Sequence, residues 1–411
     1  MYQSRRQLLM EQLPEECFVF FFSGSAPYRS LDEKYPFTVN RHFFYLTGLD
    51  KEDMTLMLVN HNGVVMEYLF IEPYDELEAK WVGGRMSEIE ASKQAQISAV
   101  LNNQDFLPTL HTLIHRSMNQ FDEILMYVDL HTQEIHQETK ETKFAKQIKQ
   151  QFHNAHVANV YPYITSLRLI KEDSEIETLQ KAIETTRLGI ESMMRHAKPQ
   201  MMEYELEAYF DFELKKANAD HSFPSIVASG KNATILHYGE NNCKIKDRSF
   251  VLCDLGAAHN HMCADITRTF PVNGKFTKRQ AEIYDIVLRG NKMIIDAIRP
   301  GMTLAQLNRM LVKFYQKELK EVGLLSHGKT VADYYWHGVS HMLGLDTHDV
   351  SLTDYKLEPG NVFTVEPGLY IEDENIGIRI EDNVLVTEDG CINLSANIIK
   401  EIDEIEAFMQ K

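Results

Sequence analysis

The chain has 411 residues, of which 42 are Lys or Arg and 60 are Asp or Glu, so its formal net charge at pH 7 is −18. This length predicts two or three domains, and a content of 44% apolar residues is typical of a globular protein rather than a disordered one. The excess of acids argues against nucleic acid and against an anionic membrane surface as partners, because both require clustered Lys and Arg.

Five cysteines without a C-x-x-C pair favour free thiols in a reducing compartment over a disulfide framework. No apolar run approaches the roughly 20 residues of a membrane-spanning helix. Residues 1–15 lack the long apolar core of a secretory signal and resemble a short amphipathic helix. We therefore expect a soluble cytoplasmic protein that binds neither membranes nor nucleic acid.

Residues 1–165 alternate between short β-like runs and polar helical stretches. The runs are rich in aromatic and β-branched residues, and turn residues bound several of them, which predicts an α/β domain. The predicted strands are 17–22, 43–49, 54–60, 64–71, 124–130 and 156–162, and the predicted helices are 88–101, 105–118 and 132–152.

Residues 166–411 carry sharper helix signals. Capping boxes, in which a Ser or Thr and a Glu or Gln three residues later satisfy the first N–H groups of a helix, begin at Ser174, Thr277 and Thr303. The order helix, helix, strands occurs twice, so we hypothesise two related halves with pseudo-twofold symmetry. The predicted helices are 174–197, 203–218, 277–298 and 303–323, and the predicted strands are 225–230, 250–257, 262–272, 361–371 and 376–387.

Four carboxylates lie on strand-like segments of this second half, two in each group of strands. Burying a carboxylate costs several kcal/mol unless it is paired or binds a metal. Lys and Arg are scarce in these segments, with Arg268 and Arg379 as the exceptions. A divalent metal ion is therefore the simplest source of the positive charge that these four carboxylates need. The four acids are Asp254, Asp265, Glu366 and Glu381.

Histidines supply the nitrogen that such a site needs. His337, His341 and His348 lie in one Gly-rich segment. Their spacing allows a shared helix face, but Gly338 and Gly344 favour a loop or strand equally. One of them is the natural ligand, and His237 is a candidate for the site wall. Oxygen ligands with one imidazole suit Mn, Fe, Co or Zn, and four carboxylates favour two ions. Taken singly, each residue has an ordinary structural explanation; their shared placement favours a site.

The same residues resemble a known family. Asp254, Asp265, His341, Glu366 and Glu381 have the order and context of the metal ligands of pita-bread metallopeptidases, which include methionine aminopeptidases, prolidases and aminopeptidase P. The motifs that carry this resemblance are VLCDLGA, ADITRTF, GVSHMLGLDTHDV, TVEPGLYI and GIRIEDNVLV. IVASGKNATILHY and YPFTVNRHFFYLTGL are similar to aminopeptidase P and prolidase, and HMLGLDTHDV most resembles bacterial aminopeptidase P.

The resemblance implies a fold and a function. An N-terminal α/β domain, 1–165, would serve oligomerisation and substrate access, and a pita-bread catalytic domain, 166–411, would follow it. The enzyme would use two divalent ions, most often Mn2+, with Co2+, Fe2+ and Zn2+ as alternatives. It would remove an N-terminal residue that precedes proline and would form a homodimer or homotetramer. Prolidase, which cleaves only Xaa-Pro dipeptides, and a non-catalytic peptide-binding protein remain the alternatives.

The resemblance also implies individual roles. Asp254 would chelate one ion, Asp265 and Glu381 would bridge both, and His341 and Glu366 would complete the second. The catalytic candidates are Glu366, which would also move the proton to the leaving nitrogen, His348, which would stabilise the oxyanion, and His237. The substrate-binding candidates near the proline pocket are His337, Tyr370 and Arg379.

Overall fold

The computed structural model describes residues 1–83, 86–118, 123–132, 134 and 138–410. The chain divides into two compact units, Met1–Arg168 and Leu169–Lys411. No helix in this described part is long and apolar enough to cross a membrane. All five cysteines lie among the described residues, and none of them forms a disulfide.

The first unit is built on a six-stranded mixed sheet with the order β4-β3-β2-β1-β5-β6. Strands β1, β2 and β3 are antiparallel neighbours, and the remaining pairs are parallel. The strands are β1 (Cys17–Phe22), β2 (Thr55–His61), β3 (Val64–Ile71), β4 (Ala99–Asn102), β5 (Ile124–Val128) and β6 (Ala155–Asn159). The helices are α1 (Tyr2–Glu11), α2 (Arg41–Thr47), α3 (Glu76–Val82), α4 (Glu88–Ala95), α5 (Phe106–Met118), α6 (Lys140–Gln151) and α7 (Tyr161–Leu169).

The apolar run CFVFFF forms β1, and the burial of this strand explains its composition. It lies between β2 and β5, and all six of its residues are buried, so both faces of the strand contact protein. Phe20 and Phe22 meet Phe144 of α6 edge to face, with ring centroids 4.9 and 5.3 Å apart. This geometry is favourable for aromatic pairs, and it fixes α6 against the sheet.

The predicted strand at 43–49 is wrong. The segment forms α2, because the side chain of Asn40 accepts hydrogen bonds from the N–H groups of His42 and Phe43 and so caps a helix. Gly48, with φ of 68°, ends it. The capping pattern therefore prevails over the β preference of the aromatic residues.

Two other predicted elements of this unit have wrong ends. The predicted helix 88–101 stops at Ala95, because Gln96 adopts a left-handed conformation, and the following residues form β4. The predicted strand 156–162 ends at Asn159, and Tyr161 begins α7. Helix α6 begins at Lys140; the first part of the predicted helix 132–152 includes residues 133 and 135–137, which lie outside the described residues.

The second unit contains helices and short antiparallel strands in the predicted order, with two long helices before each group of strands. Its helices are α8 (Asp173–His196), α9 (Glu203–Lys216), α10 (Lys278–Ala297), α11 (Leu304–Glu321) and α12 (Ile402–Met409). Its strands are β7 (Asp220–His221), β8 (Ile226–Ser229), β9 (Phe250–Leu255), β10 (Ala257–His259), β11 (Met262–Cys263), β12 (Ile266–Pro271), β13 (Val362–Val365), β14 (Gly368–Ile371), β15 (Ile376–Arg379), β16 (Asp382–Val386) and β17 (Cys391–Asn393).

Two of the three predicted capping boxes are confirmed. Thr277 and Thr303 each accept a hydrogen bond from the N–H of a Gln three residues later, at the start of α10 and α11. The box at Ser174 and Glu177 is wrong, because α8 begins earlier. The carboxylate of Glu175 accepts from the backbone N–H of Glu172, so the cap lies two residues before the predicted one.

Two antiparallel strand pairs, β9 with β12 and β13 with β16, bring the acidic segments together. The backbone N–H of Glu381 donates to the carbonyl of Thr267 at 3.0 Å and so joins the two pairs. The side chain of Asn383 also pairs with the backbone of Asp265, accepting at 3.2 Å and donating at 2.6 Å. The acids therefore lie where the two strand pairs meet.

Candidate metal centre

Nine of the ten sequence-predicted site residues line one cavity of about 280 Å³ in the second unit. The tenth, Tyr370, is only 2% exposed and lies behind the wall, where it contacts two of the others. Leu236, Gly338 and Ser340 complete the lining. The nine residues are Asp254, Asp265, Glu366, Glu381, His237, His337, His341, His348 and Arg379.

Each acid lies within a strand or directly beside the end of one. Asp254 lies within β9 opposite Thr267 of β12, and Asp265 immediately precedes β12. Glu366 follows β13, and Glu381 precedes β16. Asp254, Asp265 and Glu381 are 9%, 4% and 2% exposed, so these carboxylates lie largely outside bulk water.

The centre of the cluster is compact. Asp265, His341 and Glu381 each place one potential ligand atom within 4.8 Å of the others. Nε2 of His341 lies 3.3 Å from Oδ2 of Asp265 and 3.6 Å from Oε1 of Glu366. This set has the chemistry of a site for a hard or borderline divalent ion.

The His341 ring is oriented for coordination. Its Nδ1 lies 3.1 Å from the carbonyl of Met342 and donates to it, so in the neutral ring Nε2 presents its lone pair to the acids. The carbonyl of His341 accepts from the backbone N–H of Thr364 at 2.9 Å, and the N–H of His341 donates to the Thr364 hydroxyl at 3.1 Å. His341 therefore lies on an extended segment beside β13, and the helix that its spacing allowed is absent.

Arg379 connects the acids to the cavity wall. Its guanidinium donates to Oδ2 of Asp254 at 2.6 Å, to Oγ1 of Thr267 at 2.9 Å and to the hydroxyl of Tyr370 at 2.9 Å. The Tyr370 hydroxyl lies 2.9 Å from Nε2 of His337 and donates to it, while Nδ1 of His337 donates to the carbonyl of Gly338. Tyr370 is thus linked to the cavity wall by its hydrogen bond to His337.

Two threonines were missed by the sequence analysis. The hydroxyl of Thr267 donates to Glu381 at 2.7 Å, and the hydroxyl of Thr364 lies 3.4 Å from Glu366. Thr267 stands two residues after Asp265, and Thr364 stands two residues before Glu366. Residues two apart on a strand share a face, so this spacing was the signal that could have found them.

Burial perturbs the acids more than the neighbouring positive groups offset it. It raises the pKa of Asp265 to about 6 and that of Glu366 to about 7, and it raises the pKa of Glu381 well above its usual range. Burial opposes protonation of His341, but the hydrogen bond to Asp265 and the charges of Asp265 and Glu366 outweigh it and raise the pKa to about 9. The metal-free cluster therefore holds protons that a bound cation would displace.

Two of the wall histidines, His337 and His348, show the opposite shift. Burial, reinforced by neighbouring positive groups, lowers the pKa of both His337 and His348 to about 4. Both rings are therefore neutral near pH 7. The ring of His348 stacks on that of His341, with centroids 3.9 Å apart and an interplanar angle of 16°.

The fit to metal can be tested on Asp254. Its Oδ2 accepts from Arg379, whereas its Oδ1 is buried and has no hydrogen-bond partner within the described chain. A buried carboxylate oxygen without a donor is costly, and ligation to a cation removes that cost. Together with the carboxylate-rich donor set and the oriented His341, this oxygen fits a divalent metal site.

Comparisons with known proteins match most of the chain. The family model Metallopeptidase family M24 matches residues 177–388, and the model Aminopeptidase P, N-terminal domain, matches residues 2–121. The Xaa-Pro aminopeptidase of Escherichia coli is 33% identical over 99% of this chain and 97% of its own length.

Solved structures are similar over the whole chain. A structure from Bacillus anthracis, provisionally assigned to aminopeptidase P, matches with a TM-score of 0.96 at 45% identity and covers 100% of this chain and 97% of its own. A zinc-substituted Escherichia coli aminopeptidase P in complex with product matches with a TM-score of 0.91 at 33% identity, over 100% of this chain and 97% of its own.

The fold and the carboxylate-rich cavity define a pita-bread metallohydrolase with a separate N-terminal domain. The chain belongs to metallopeptidase family M24. The predicted fold class, an N-terminal α/β domain followed by a pita-bread catalytic domain, is confirmed, and so is the predicted family. Because this is a family of metallopeptidases, the cofactor is a divalent metal and the substrates are peptides.

Proposed function

We propose that this protein is a dimetal-dependent aminopeptidase that hydrolyses the bond between an N-terminal residue and a following proline, in Xaa-Pro-Yaa peptides. The observation that carries the proposal is the cavity itself. Four carboxylates, the oriented His341 and three further histidines line it. Relatives that match 99% of this chain include Xaa-Pro aminopeptidases.

We assign the metal ligands to the five residues of the cluster, with two ions and Mn2+ as the physiological metal. Four carboxylates exceed the need of one ion, which supports the count of two. The bound ions would supply Lewis acidity and a water made nucleophilic near neutral pH. The proposed ligands are Asp254, Asp265, His341, Glu366 and Glu381.

Glu366 is the proposed proton carrier. The nitrogen of an Xaa-Pro bond is a tertiary amide without N–H, so proline leaves only if its nitrogen gains a proton. Glu366 borders the cavity, so its carboxyl group faces the space that a bound peptide would occupy, and a positioned carboxyl group can act as a general acid or base. Its Oε2 lies 3.6 Å from Nδ1 of His337, which places the carboxyl beside the wall of the proposed proline pocket.

The wall histidines are the proposed substrate contacts. A neutral imidazole can donate one N–H to a carbonyl oxygen, and such a donor stabilises the oxyanion that develops during hydrolysis. We assign this role to His348, which is exposed to the cavity. We assign His237 to the catalytic wall and His337 to the proline pocket, with Tyr370 and Arg379 holding His337 in place.

We further propose a cytoplasmic homodimer or homotetramer, in which the N-terminal unit serves assembly and substrate access. Thiols without disulfides support a reducing compartment. Large apolar side chains on the surface of the first unit support an assembly role, since Leu31, Leu77 and Trp81 are 101%, 67% and 83% exposed. Light scattering of the purified protein measures the number of chains directly.

Chelation with metal add-back tests the proposed function. Protein stripped with a chelator should lose cleavage of Arg-Pro-Pro and regain it with Mn2+. Full activity in the stripped protein would contradict metal catalysis. Activity on Arg-Pro with none on Arg-Pro-Pro would instead favour prolidase.

A further inference from the structure

One wall of the cavity is made by an irregular segment, residues 229–243, which follows β8. It carries Leu236 and His237 to the cavity. Apart from a short 3-10 turn at Gly230–Thr234, it has no regular backbone hydrogen bonding. The His237 ring is exposed and makes no hydrogen bond to another described residue, so its position depends on the backbone that carries it.

Glu203, the first residue of α9, is fully buried and binds this segment at three places. Its Oε1 accepts from the N–H and hydroxyl of Ser229, both at 2.7 Å, and from the amide of Asn232 at 3.0 Å. Its Oε2 accepts from the hydroxyl of Tyr238 at 2.8 Å and from the N–H of Cys243 at 2.9 Å. One carboxylate thus holds the beginning, the middle and the end of the segment.

The five groups that donate to Glu203 are all neutral. A buried carboxylate held only by neutral donors is costly, and the N-terminus of α9 offsets part of that cost through its dipole. Tyr238 is 7% exposed, and burial together with the Glu203 carboxylate raises its pKa, so its hydroxyl stays protonated and can donate. The carboxylate therefore acts as an anchor for the segment rather than as half of an ion pair.

Both oxygens of Glu203 must be acceptors. Oε1 faces the N–H of Ser229 and Oε2 faces the N–H of Cys243, and a backbone N–H can only donate. A glutamine has the same shape, but its NH2 group would face one of these N–H groups in either orientation. Glu203→Gln thus releases one end of the segment without creating a cavity.

We infer that Glu203 is a positioning residue that holds His237 at the wall of the cavity, an inference that rests on the proposed function. Tyr238, which adjoins His237 in the chain, is the link between them. His237 lines the same cavity as His337 and His348. Release of the segment displaces His237 from this group and weakens catalysis, although Glu203 contacts neither substrate nor metal ligands.

A double-mutant cycle tests the inference on Mn2+-loaded protein with Arg-Pro-Pro. Glu203→Gln and His237→Ala should each lower kcat/KM by about 10- to 100-fold, the range found for residues that orient a catalytic shell. The kcat/KM of the double variant should lie within about twofold of that of His237→Ala, because both changes remove the same contribution. Multiplied losses in the double variant, or unchanged activity in Glu203→Gln, would overturn the inference.

Matched controls separate positioning from general damage. Glu205→Gln, an exposed carboxylate in the same helical turn that accepts from the N–H of Met202, should keep activity within about twofold. Hydrogen exchange should quicken in 229–243 of Glu203→Gln and stay unchanged in β9 and β12. Where Glu203→Gln does not fold, Tyr238→Phe repeats the cycle with one donor removed. Failure of the wild type to cleave Arg-Pro-Pro contradicts the proposed function, whereas additive losses contradict only the role of Glu203.

Discussion

Arg379 donates to one carboxylate oxygen of Asp254 at 2.6 Å, while the other oxygen of Asp254 is buried with no hydrogen-bond partner in the described chain. The guanidinium fixes the direction of the carboxylate and leaves one oxygen for a ligand that the protein itself does not provide. A buried carboxylate oxygen without a donor is costly, and a bound cation would remove that cost, so this asymmetry favours a metal site over a purely structural ion pair.

The orienting role of Arg379 leads to the first prediction. Arg379→Lys keeps the positive charge but loses the contacts to Thr267 and Tyr370, because an ammonium cannot reproduce the planar fork of a guanidinium. We expect Mn2+ affinity to fall by about 10- to 100-fold in isothermal titration calorimetry. Arg289→Lys, a change on the surface of α10, is the control and should leave the affinity unchanged. Equal affinity in both variants would contradict the role of Arg379.

The raised pKa values predict how metal binding depends on pH. Metal needs deprotonated ligands, and the metal-free carboxyls of Asp265 and Glu366 have pKa values of about 6 and 7. Affinity should therefore rise with pH across this range, by about tenfold per pH unit for each proton displaced. Calorimetric titrations with Mn2+ in buffers of different ionisation enthalpy should detect the protons that metal binding releases. An affinity independent of pH between 5.5 and 8 would contradict the protonated cluster.

The same groups set the stability of the metal-free protein. A carboxyl whose folded pKa is raised contributes stability that is present below its unfolded pKa and lost as the pH rises through the folded pKa. For Asp265 and Glu366 this loss occurs as the pH rises towards 7, so bound metal should restore more stability at pH 8 than at pH 5.5. Differential scanning calorimetry with and without Mn2+ measures this difference, and a larger Tm increase at pH 5.5 would contradict it.

Replacement of the proposed proton carrier gives the next prediction. Glu366→Gln keeps the size of the side chain but cannot carry the proton, so kcat on Arg-Pro-Pro should fall by about 10²- to 10⁴-fold. Circular dichroism should show a folded protein. Asp389→Asn, which changes an acid near the turn before β17, is the control and should keep activity. Near-normal turnover in Glu366→Gln would remove Glu366 from the chemistry.

A buried ion pair next to His348 supplies a stability prediction. Lys171 and Asp349 meet at 2.9 Å with side chains 2% and 1% exposed, and a Cβ on Gly344 would lie 2.2 Å from Oδ2 of Asp349. Gly344→Ala should therefore separate the pair and lower the free energy of unfolding by about 3 kcal/mol. Gly390→Ala, whose Cβ would meet nothing closer than 3.8 Å, is the control for urea unfolding. Equal stability of the two variants would contradict this account.

The residues that line the cavity were easier to predict from the sequence than some of the local structure. Acids on apolar strands are conspicuous because an uncompensated buried charge is so unfavourable, and the predicted residues do meet around one cavity. The strand predicted at 43–49 is a helix, because one side chain, that of Asn40, changes the backbone preference of the aromatic residues that follow.

Glu203 shows what the sequence could not reveal. In the segment MEYELE it reads as one of several acids on a surface helix, as Glu205 is. Only the fold of 229–243 over the start of α9 buries it and brings five donors to it. Long-range contacts of this kind leave no periodic pattern in a single sequence.

The most direct test is to identify the bond that the Mn2+-loaded protein cleaves. Mass spectrometry of digests of Arg-Pro-Pro, Arg-Ala-Pro and Arg-Pro, each with and without chelator, gives both the specificity and the metal requirement. We predict release of Arg from Arg-Pro-Pro alone among the tripeptides, abolished by the chelator and restored by Mn2+. Release of Arg from Arg-Ala-Pro at a similar rate, or cleavage that survives the chelator, would contradict a metal-dependent aminopeptidase specific for proline in the second position.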